Sequence, residues 1–285
     1  MINYKKLKKL LVLKRKLITG KLKKKILGKN AIAILTSSEN NFFLVEPTDM
    51  GVGRSLLKGR TYGSEELSLL QRILNKNHNV LVVGSHVGTI SIPLSKHVKH
   101  LIAIEANPNC YNLLNLNILI NKVNNIQTIK VAAADKSGEI DFIKNTINSG
   151  GSKRVPLIKD PMYYSDNPEI IKVKTQRLDD IVSSNIHLVF MDIEGSEFYA
   201  LKGMPKILKE AKFLVMEFIP HHFKNVSGVN MRDLVDLLIE SFDYLFIPSK
   251  KKVIHKVDFL NILQNMYENE EWDPGIVFSK EEWSE

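Results

Sequence analysis

From residue 79 onward the chain alternates short apolar runs with segments of helical pattern, and that rhythm restricts the fold more than any other feature. NVLVVG (79–84), HLIAIEA (100–106), IQTIKVAAA (126–134), HLVF (187–190) and FLVMEF (213–218) are nearly continuous in apolar residues. Runs of this length without polar alternation are strands buried on both faces, as in parallel sheets. Helical patterns over 109–121, 197–208 and 231–241 lie between or after them, with shorter ones at 89–96, cut by Pro93, and 178–183. The order predicts an α/β fold with a Rossmann-like, doubly wound, mostly parallel sheet. YLFI (244–247) and GIVF (275–278) read as antiparallel edge strands at the C-terminal end. EIDFI (139–143) reads as an extra strand and 144–176 as a long loop whose Lys153, Tyr163 and Tyr164 help shape a pocket.

The charge is unevenly placed. Residues 1–30 hold 12 of the 40 Lys and Arg and no acid, so the remainder carries 28 basic against 31 acidic residues and is slightly negative. Three regions follow: a basic helical arm (1–30), a hairpin-and-helix extension (31–76) and a Rossmann-like domain (77–285). In the arm, 4–27 reads as a helix with Leu7, Leu11, Ile18, Leu22 and Ile26 on one face and Lys5, Lys9, Lys16 and Lys23 opposite, Thr19-Gly20 being a place where it could break. Such a helix either lies on an anionic membrane surface or docks on the body with its lysines in water. Nucleic acid is the poorer partner, because no aromatic residues are interleaved for base stacking. AIAIL (31–35) and FFLVE (42–46) flank SSENN as a hairpin, and Ser64 looks like a helix cap followed by Glu65 and Glu66. No run approaches 18 apolar residues. The single cysteine, Cys110, allows no internal disulfide and fits a reducing compartment. A cytoplasmic protein is expected, with peripheral membrane contact through the arm as the open alternative.

Three stretches carry candidate chemistry. The turn after the first domain strand, VVGSHVG (82–88), offers Gly84, Ser85 and Gly88 for close backbone approach to a ligand, in a GxxxG spacing that differs from the dinucleotide GxGxxG. Glu105 ends the next strand, 21 residues after Gly84, where an acid can accept both hydroxyls of a ribose. Asp135, after the third strand, either meets an adenine amino group or starts a turn. The densest cluster is MDIEGSE (191–197), whose Asp192, Glu194 and Glu197 follow a strand directly. Acids so close repel one another, which favours a role with a proton, a substrate hydroxyl or a metal. Asp192 is the expected general base, Asp192, Glu194 and Glu217 an expected divalent-metal set, magnesium being the candidate ion, and Glu197 either a fourth acid or a helix start. His221, with His222 beside it after Pro220, is the reserve base.

Taken together, these residues resemble the FkbM family of S-adenosylmethionine-dependent methyltransferases. The resemblance runs over about 59–225 and rests on MDIEGSEFYALKGM (191–204), the turn at Gly84–Gly88, EANPNCYNLLNLNILIN from Glu105, AAADKSG from Ala132, and the LDD at 178–180. It implies O-methylation of a hydroxyl on a sugar, glycan or natural-product-like acceptor, with S-adenosyl-L-methionine as cofactor. One departure is plain: family members commonly carry an acid where this chain has Val82, and an Asn where it has His86, and that acid helps hold the cofactor's methionine end. The departure motivates the alternative of a weak or inactive methyltransferase-fold protein that binds a membrane or polyanion through its arm. A nucleic-acid N-methyltransferase fits less well, because the fourth-strand corner is Asp-Ile-Glu-Gly and lacks an aromatic clamp.

Overall fold

A computed structural model describes residues 4–164, 166–182 and 185–284, with only the backbone course given over 4–10. The N-terminal part contains α1 (Tyr4–Leu27), the hairpin β1 (Ile34–Ser38) and β2 (Asn41–Val45), then α2 (Val52–Leu57) and α3 (Ser64–Ile73). The middle runs through β3 (Asn79–Val83), α4 (Ser91–Ser95), β4 (His100–Ile104), α5 (Pro108–Ile120), β5 (Ile126–Ile129), β6 (Ala132–Ala133), β7 (Gly138–Lys144), β8 (Lys153–Arg154) and β9 (Glu169–Gln176). Then follow α6 (Leu178–Ile181), β10 (Leu188–Met191), α7 (Glu197–Lys202), α8 (Pro205–Glu210), β11 (Phe213–Phe218), α9 (Pro220–His222) and α10 (Met231–Leu238). The chain closes with β12 (Tyr244–Ile247), β13 (Lys252–His255), α11 (Phe259–Glu268) and β14 (Asp273–Ser279).

Eight strands form the central sheet in the order β13-β12-β14-β11-β10-β3-β4-β5. β11, β10, β3, β4 and β5 are parallel, and β14, β12 and β13 join antiparallel. Alternate residues of each strand face opposite helical layers. Val80 and Val82 of β3 pack with Leu67 and Leu70 of α3 and Leu94 of α4. Leu81 and Val83 pack with Leu201 of α7 and Leu234 of α10. Burial on both faces is what the continuous apolar runs demanded. The chain fills strands outward from β3 to β5, then returns to add β10 and β11 on the other side, so the strand order reverses between β3 and β10. Ligands of open α/β sheets sit at that place.

Three expectations about the strands change. GIVF lies inside the sheet, between β11 and β12, and the outermost strand is KVIH of β13. Four buried apolar residues suit an interior position, whereas a strand with an exposed lysine suits an edge. Residues 144–176 are not simply a loop: β7, β8 and β9 with β6 make a second, four-stranded sheet, and short 3₁₀ turns cover Ser149–Gly151 and Pro161–Tyr164. β9 buries Val173 and Thr175 and exposes Lys172 and Lys174, a half-buried period of two hidden by lysines. The predicted third strand divides, β5 in the large sheet and β6 in the small one.

The hairpin turns on Glu39 and Asn40, both at positive φ, as a two-residue turn with matching twist requires. α1 does not break at Gly20, which rests against the body: a Cβ there would stand 2.9 Å from the carbonyl oxygen of Thr48. The anticipated apolar face points the other way. Leu11, Ile18, Leu22 and Ile26 are exposed, Ile26 by 75%. Leu7, Lys5 and Lys9 fall among residues whose side chains are outside the description.

Candidate active site

A cavity opens at the carboxyl ends of β3 and β10, with Gly84, Ser85, Glu105, Asp192 and Glu194 on its wall, where open α/β sheets hold their ligands. Its floor is two sharp corners. At the first, Gly84 has φ +91°, and its amide and that of Ser85 both donate to the carbonyl of Ile104. A Cβ at Gly84 would lie 1.9 Å from the carbonyl oxygen of Asp192, so only glycine lets the two corners meet. His86 follows at φ +50°, and at the opposite corner Glu194 has φ +57°. Non-glycine residues held in this region are strained and concentrate at functional corners.

Glu105 closes the cavity beyond β4. One carboxylate oxygen accepts from the His86 amide and the other from the Asn107 amide, both at 2.7 Å. Two backbone donors leave further lone pairs for a ligand's hydroxyls. Burial raises its pKa to about 7 against those two bonds. The His86 ring is bonded to Ser149 Oγ at 2.7 Å, and burial lowers its pKa, so it is neutral. Ser149 in turn donates to Asp49.

Asp192 stands at the end of β10 with its side chain open to the cavity. Enclosure by protein, then the charges of Glu194, Glu197 and Glu66, raise its pKa well above the ordinary carboxylate value. Glu197 is a structural acid: it is buried, and its Oε1 accepts from the amides of Ile193 and Gly195, both at 3.2 Å, tying the corner to the start of α7.

The expected metal set divides. Glu194, Glu217 and His222 bring ligand atoms within 4.8 Å of one another, and Asp192 is not one of them. Two carboxylates and an imidazole are reasonable donors in kind, but Lys153 already stands among them. Its Nζ donates to Glu194 Oε2 at 2.6 Å and lies 3.2 Å from His222 Nε2, and its side chain is only 7% exposed. A divalent ion does not fit beside that ammonium; the chain supplies the positive charge itself. Burial, then Lys153 and His221, drive the His222 pKa down to about 2. Neutral His222 therefore accepts from Lys153 through Nε2 and carries its proton on Nδ1, 3.8 Å from Glu217. The Lys153 ammonium also faces the Tyr163 ring at 5.2 Å.

Several predicted site residues lie elsewhere. Asp135 is half-buried outside the cavity wall, its carbonyl accepting from Arg177, because the third strand leaves the large sheet before reaching it. Gly88 serves packing: a Cβ would meet Ile92 and Leu114 side chains at 2.8 and 2.9 Å. His221 is outside the cavity wall, its ring against that of His222 at 4.4 Å, and His222 is turned to Glu194 behind that wall. Val82 is fully buried in the layer under α3 and does not line the cavity. Sequence reasoning did not find Glu66 and Arg154 on the wall, nor the pairing of Lys153 with Glu194. The strand signal around 153–154 is two residues long, and Glu66 looked like an ordinary first-turn acid. Arg154 lies over the Tyr199 ring at 4.0 Å, and its buried Nε has no hydrogen-bond partner among the described residues.

The family model described as the methyltransferase FkbM domain matches residues 83–246, more than half of the chain. Among characterised relatives, a hexuronic acid methyltransferase of Haloferax volcanii is 26% identical over 163 residues, 56% of this chain and 60% of that protein. A tRNA/tmRNA (uracil-C(5))-methyltransferase of Marinomonas is 29% identical over 127 residues, 36% of this chain and 33% of that protein. The chain thus spans between a quarter and three fifths of the length of the curated relatives it matches. A crystal structure of a methyltransferase FkbM from Methylobacillus flagellatus superposes with a TM-score of 0.43 at 19% identity, covering 71% of this chain and 43% of that one.

Proposed function

The chain belongs to the FkbM methyltransferase family, and we propose that it is an S-adenosyl-L-methionine-dependent O-methyltransferase acting on a hydroxyl of a sugar, glycan or similar small molecule. The carrying observation is Asp192, an acid open to the cavity, with a raised pKa, across from Gly84 and Glu105. When bound, the cofactor supplies a methyl group on a positively charged sulfur. The residues of this chain do the rest. Gly84 leaves backbone bare for close approach, and Glu105 accepts hydrogen bonds from ribose hydroxyls. Asp192 takes the proton from the acceptor hydroxyl, and its raised pKa makes it a stronger base than an ordinary carboxylate. The Lys153–Glu194–His222 group holds the cavity floor rigid around it, which favours in-line placement of the acceptor oxygen.

A sugar acceptor is supported by the similarity to the hexuronic acid enzyme, which extends over more of this chain than the similarity to the RNA-directed enzymes. It is also supported by the slightly negative body, which would repel a polyanion. Methyl-transfer assays on uronic acids, neutral sugars and transcribed RNA test this reading. Asp192→Asn should lower turnover on the best acceptor by roughly a hundredfold or more, with S-adenosylhomocysteine affinity nearly unchanged. Undiminished turnover would remove Asp192 from its role.

We also infer that α1 lies on an anionic membrane surface. Its body-facing stripe passes through Gly20, yet Leu11, Ile18, Leu22 and Ile26 face outward with Lys14, Arg15, Lys21 and Lys25 exposed around them. An exposed apolar stripe flanked by basic residues matches an anionic bilayer, at about 1 kcal/mol per basic residue near the surface. Among the described residues no helix is long and apolar enough to cross a membrane. Co-sedimentation with phosphatidylglycerol vesicles should capture the protein, and Ile18→Glu with Leu22→Glu should release it. Equal capture of that variant, or by neutral vesicles, would refute the inference.

A further inference from the structure

Taken as an S-adenosylmethionine site, the cavity leaves one acid without a task, and the role assigned to that acid rests on the same functional reading. Glu66 sits in the first turn of α3, half-buried, and lines the same cavity as Asp192. Of the other wall acids, Asp192 has the acceptor's proton as its task, and two are answered from within the chain. Glu105 takes two backbone amides and Glu194 takes Lys153. Among the described residues Glu66 has no ion-pair partner, and its charged surroundings are acids: Glu65 and Asp273 act on it, and it acts on Asp192. Burial and those neighbours raise its pKa. A carboxylate kept among carboxylates at a cavity wall calls for a cation, and none among the described residues pairs with it.

The direction of the cavity says which cation. Glu105 marks one end, past β4, where ribose hydroxyls have their acceptor. Across the sheet, β4 is followed by β3, β10, β11 and β14. α3 lies over this part of the sheet, Leu67 and Leu70 sharing one layer with Val82 of β3, Phe190 of β10, Val215 of β11 and Val277 of β14. A nucleoside anchored at Glu105 and running toward Asp192 therefore ends its amino-acid tail beneath α3, beside Glu66, Thr89 and Tyr62. The strand below offers no charge there, because position 82 is a valine turned into the core.

We propose that Glu66 binds the α-ammonium group of the cofactor. The acid thus stands on the helix that covers the sheet, outside the matched stretch 83–246.

The test uses the whole protein and two ligands, S-adenosylhomocysteine and its desamino analogue, in which hydrogen replaces the amino group. A hydrogen-bonded charge pair predicts that the wild-type protein binds the first about tenfold to a hundredfold more tightly by calorimetry. Glu66→Gln should weaken S-adenosylhomocysteine by that factor and leave the desamino analogue unchanged, which also certifies the fold. Glu66→Asp, which keeps the charge, should restore part of the preference. A ratio between the two ligands that Glu66→Gln leaves unaltered, whether both affinities hold or both fall together, overturns the assignment. If the wild-type protein binds neither ligand, the cofactor reading itself fails, a result separable from the failure of Glu66 alone.

Discussion

Replacing Lys153 by Met tests whether the chain's own ammonium organises the acids beneath the cavity. The lysine is 7% exposed and Glu194 20%, with 2.6 Å between nitrogen and oxygen. Removing one partner of a buried pair costs about 3–5 kcal/mol, because the other charge is left in a poor solvent. Glu194 keeps some access to water, so the lower end, ~3 kcal/mol, is the expected loss, and methionine fills most of the lysine's volume, so little of it is cavity. For a chain of this size that is a fall of ~6 °C in Tm. Urea unfolding followed by circular dichroism reads the loss directly. The vacated position lies among donors of Glu194, Glu217 and His222, so manganese at a hundred times its Kd should return about 2.7 kcal/mol to the variant and nothing to the wild-type protein. Adding Glu194→Gln to the variant should remove both the destabilisation and the manganese response. A loss under ~1 kcal/mol, or a manganese response as large in the wild-type protein, would refute the view that Lys153 is the resident cation.

Two further outcomes follow from the two corners. Gly84→Ala places a Cβ 1.9 Å from the Asp192 carbonyl at a φ of +91°; S-adenosylhomocysteine binding should vanish in calorimetry and stability should fall by more than ~1 kcal/mol, and a variant that still binds with ordinary affinity would contradict the corner-to-corner contact. Glu197 has a folded pKa of about 7, against 4.5 for an ordinary glutamate, chiefly through burial. The native state therefore holds a proton that the unfolded chain releases, so stability falls as pH rises from about 4.5 through 7, by up to ~3 kcal/mol for this one group. Glu197→Gln, which keeps an acceptor for the Ile193 and Gly195 amides, should match the wild-type protein near pH 4 and exceed it at pH 8; denaturation profiles with equal pH slopes would refute the assignment.

The sheet was legible because strands buried on both faces have no polar residue to confuse their pattern. NVLVVG, HLIAIEA, HLVF and FLVMEF all became neighbours in it. The second sheet was not legible for the opposite reason. β9 shows water every other residue, and Lys172 and Lys174 make that half resemble a loop. Asp192, Gly84, Ser85 and Glu105 were found because each follows directly from a strand end, where sequence order and position in space coincide. Glu66 comes to the cavity from a helix, and Lys153 and His222 reach Glu194 from a short strand and a turn; their placement depends on packing, so the sequence put Lys153 near a pocket and named His222 without pairing either with Glu194. His221 and His222 illustrate the limit: the sequence offered two adjacent rings, and only the geometry of α9 decides which one turns toward Glu194.

The cavity's charges explain why so many acids persist in one place. Glu105 is satisfied by amides and Glu194 by Lys153, which leaves Glu66 and Asp192 without an ion-pair partner among the described residues. Two unanswered carboxylates repel each other in the empty protein and are a standing cost to stability. A ligand carrying two positive centres, a sulfonium near Asp192 and an ammonium near Glu66, removes that cost on binding, whereas the demethylated product keeps only the ammonium. Asp192 should therefore hold the methylated form more tightly than the product, in contrast to Glu66, which meets the same group in both. Comparing S-adenosylmethionine with S-adenosylhomocysteine by calorimetry reads the difference: Asp192→Asn should erase the preference for the charged sulfur while Glu66→Gln weakens both ligands alike. A preference that survives Asp192→Asn would mean that the sulfonium is stabilised by another part of the wall, and Asp192 would then be left with the acceptor's proton alone.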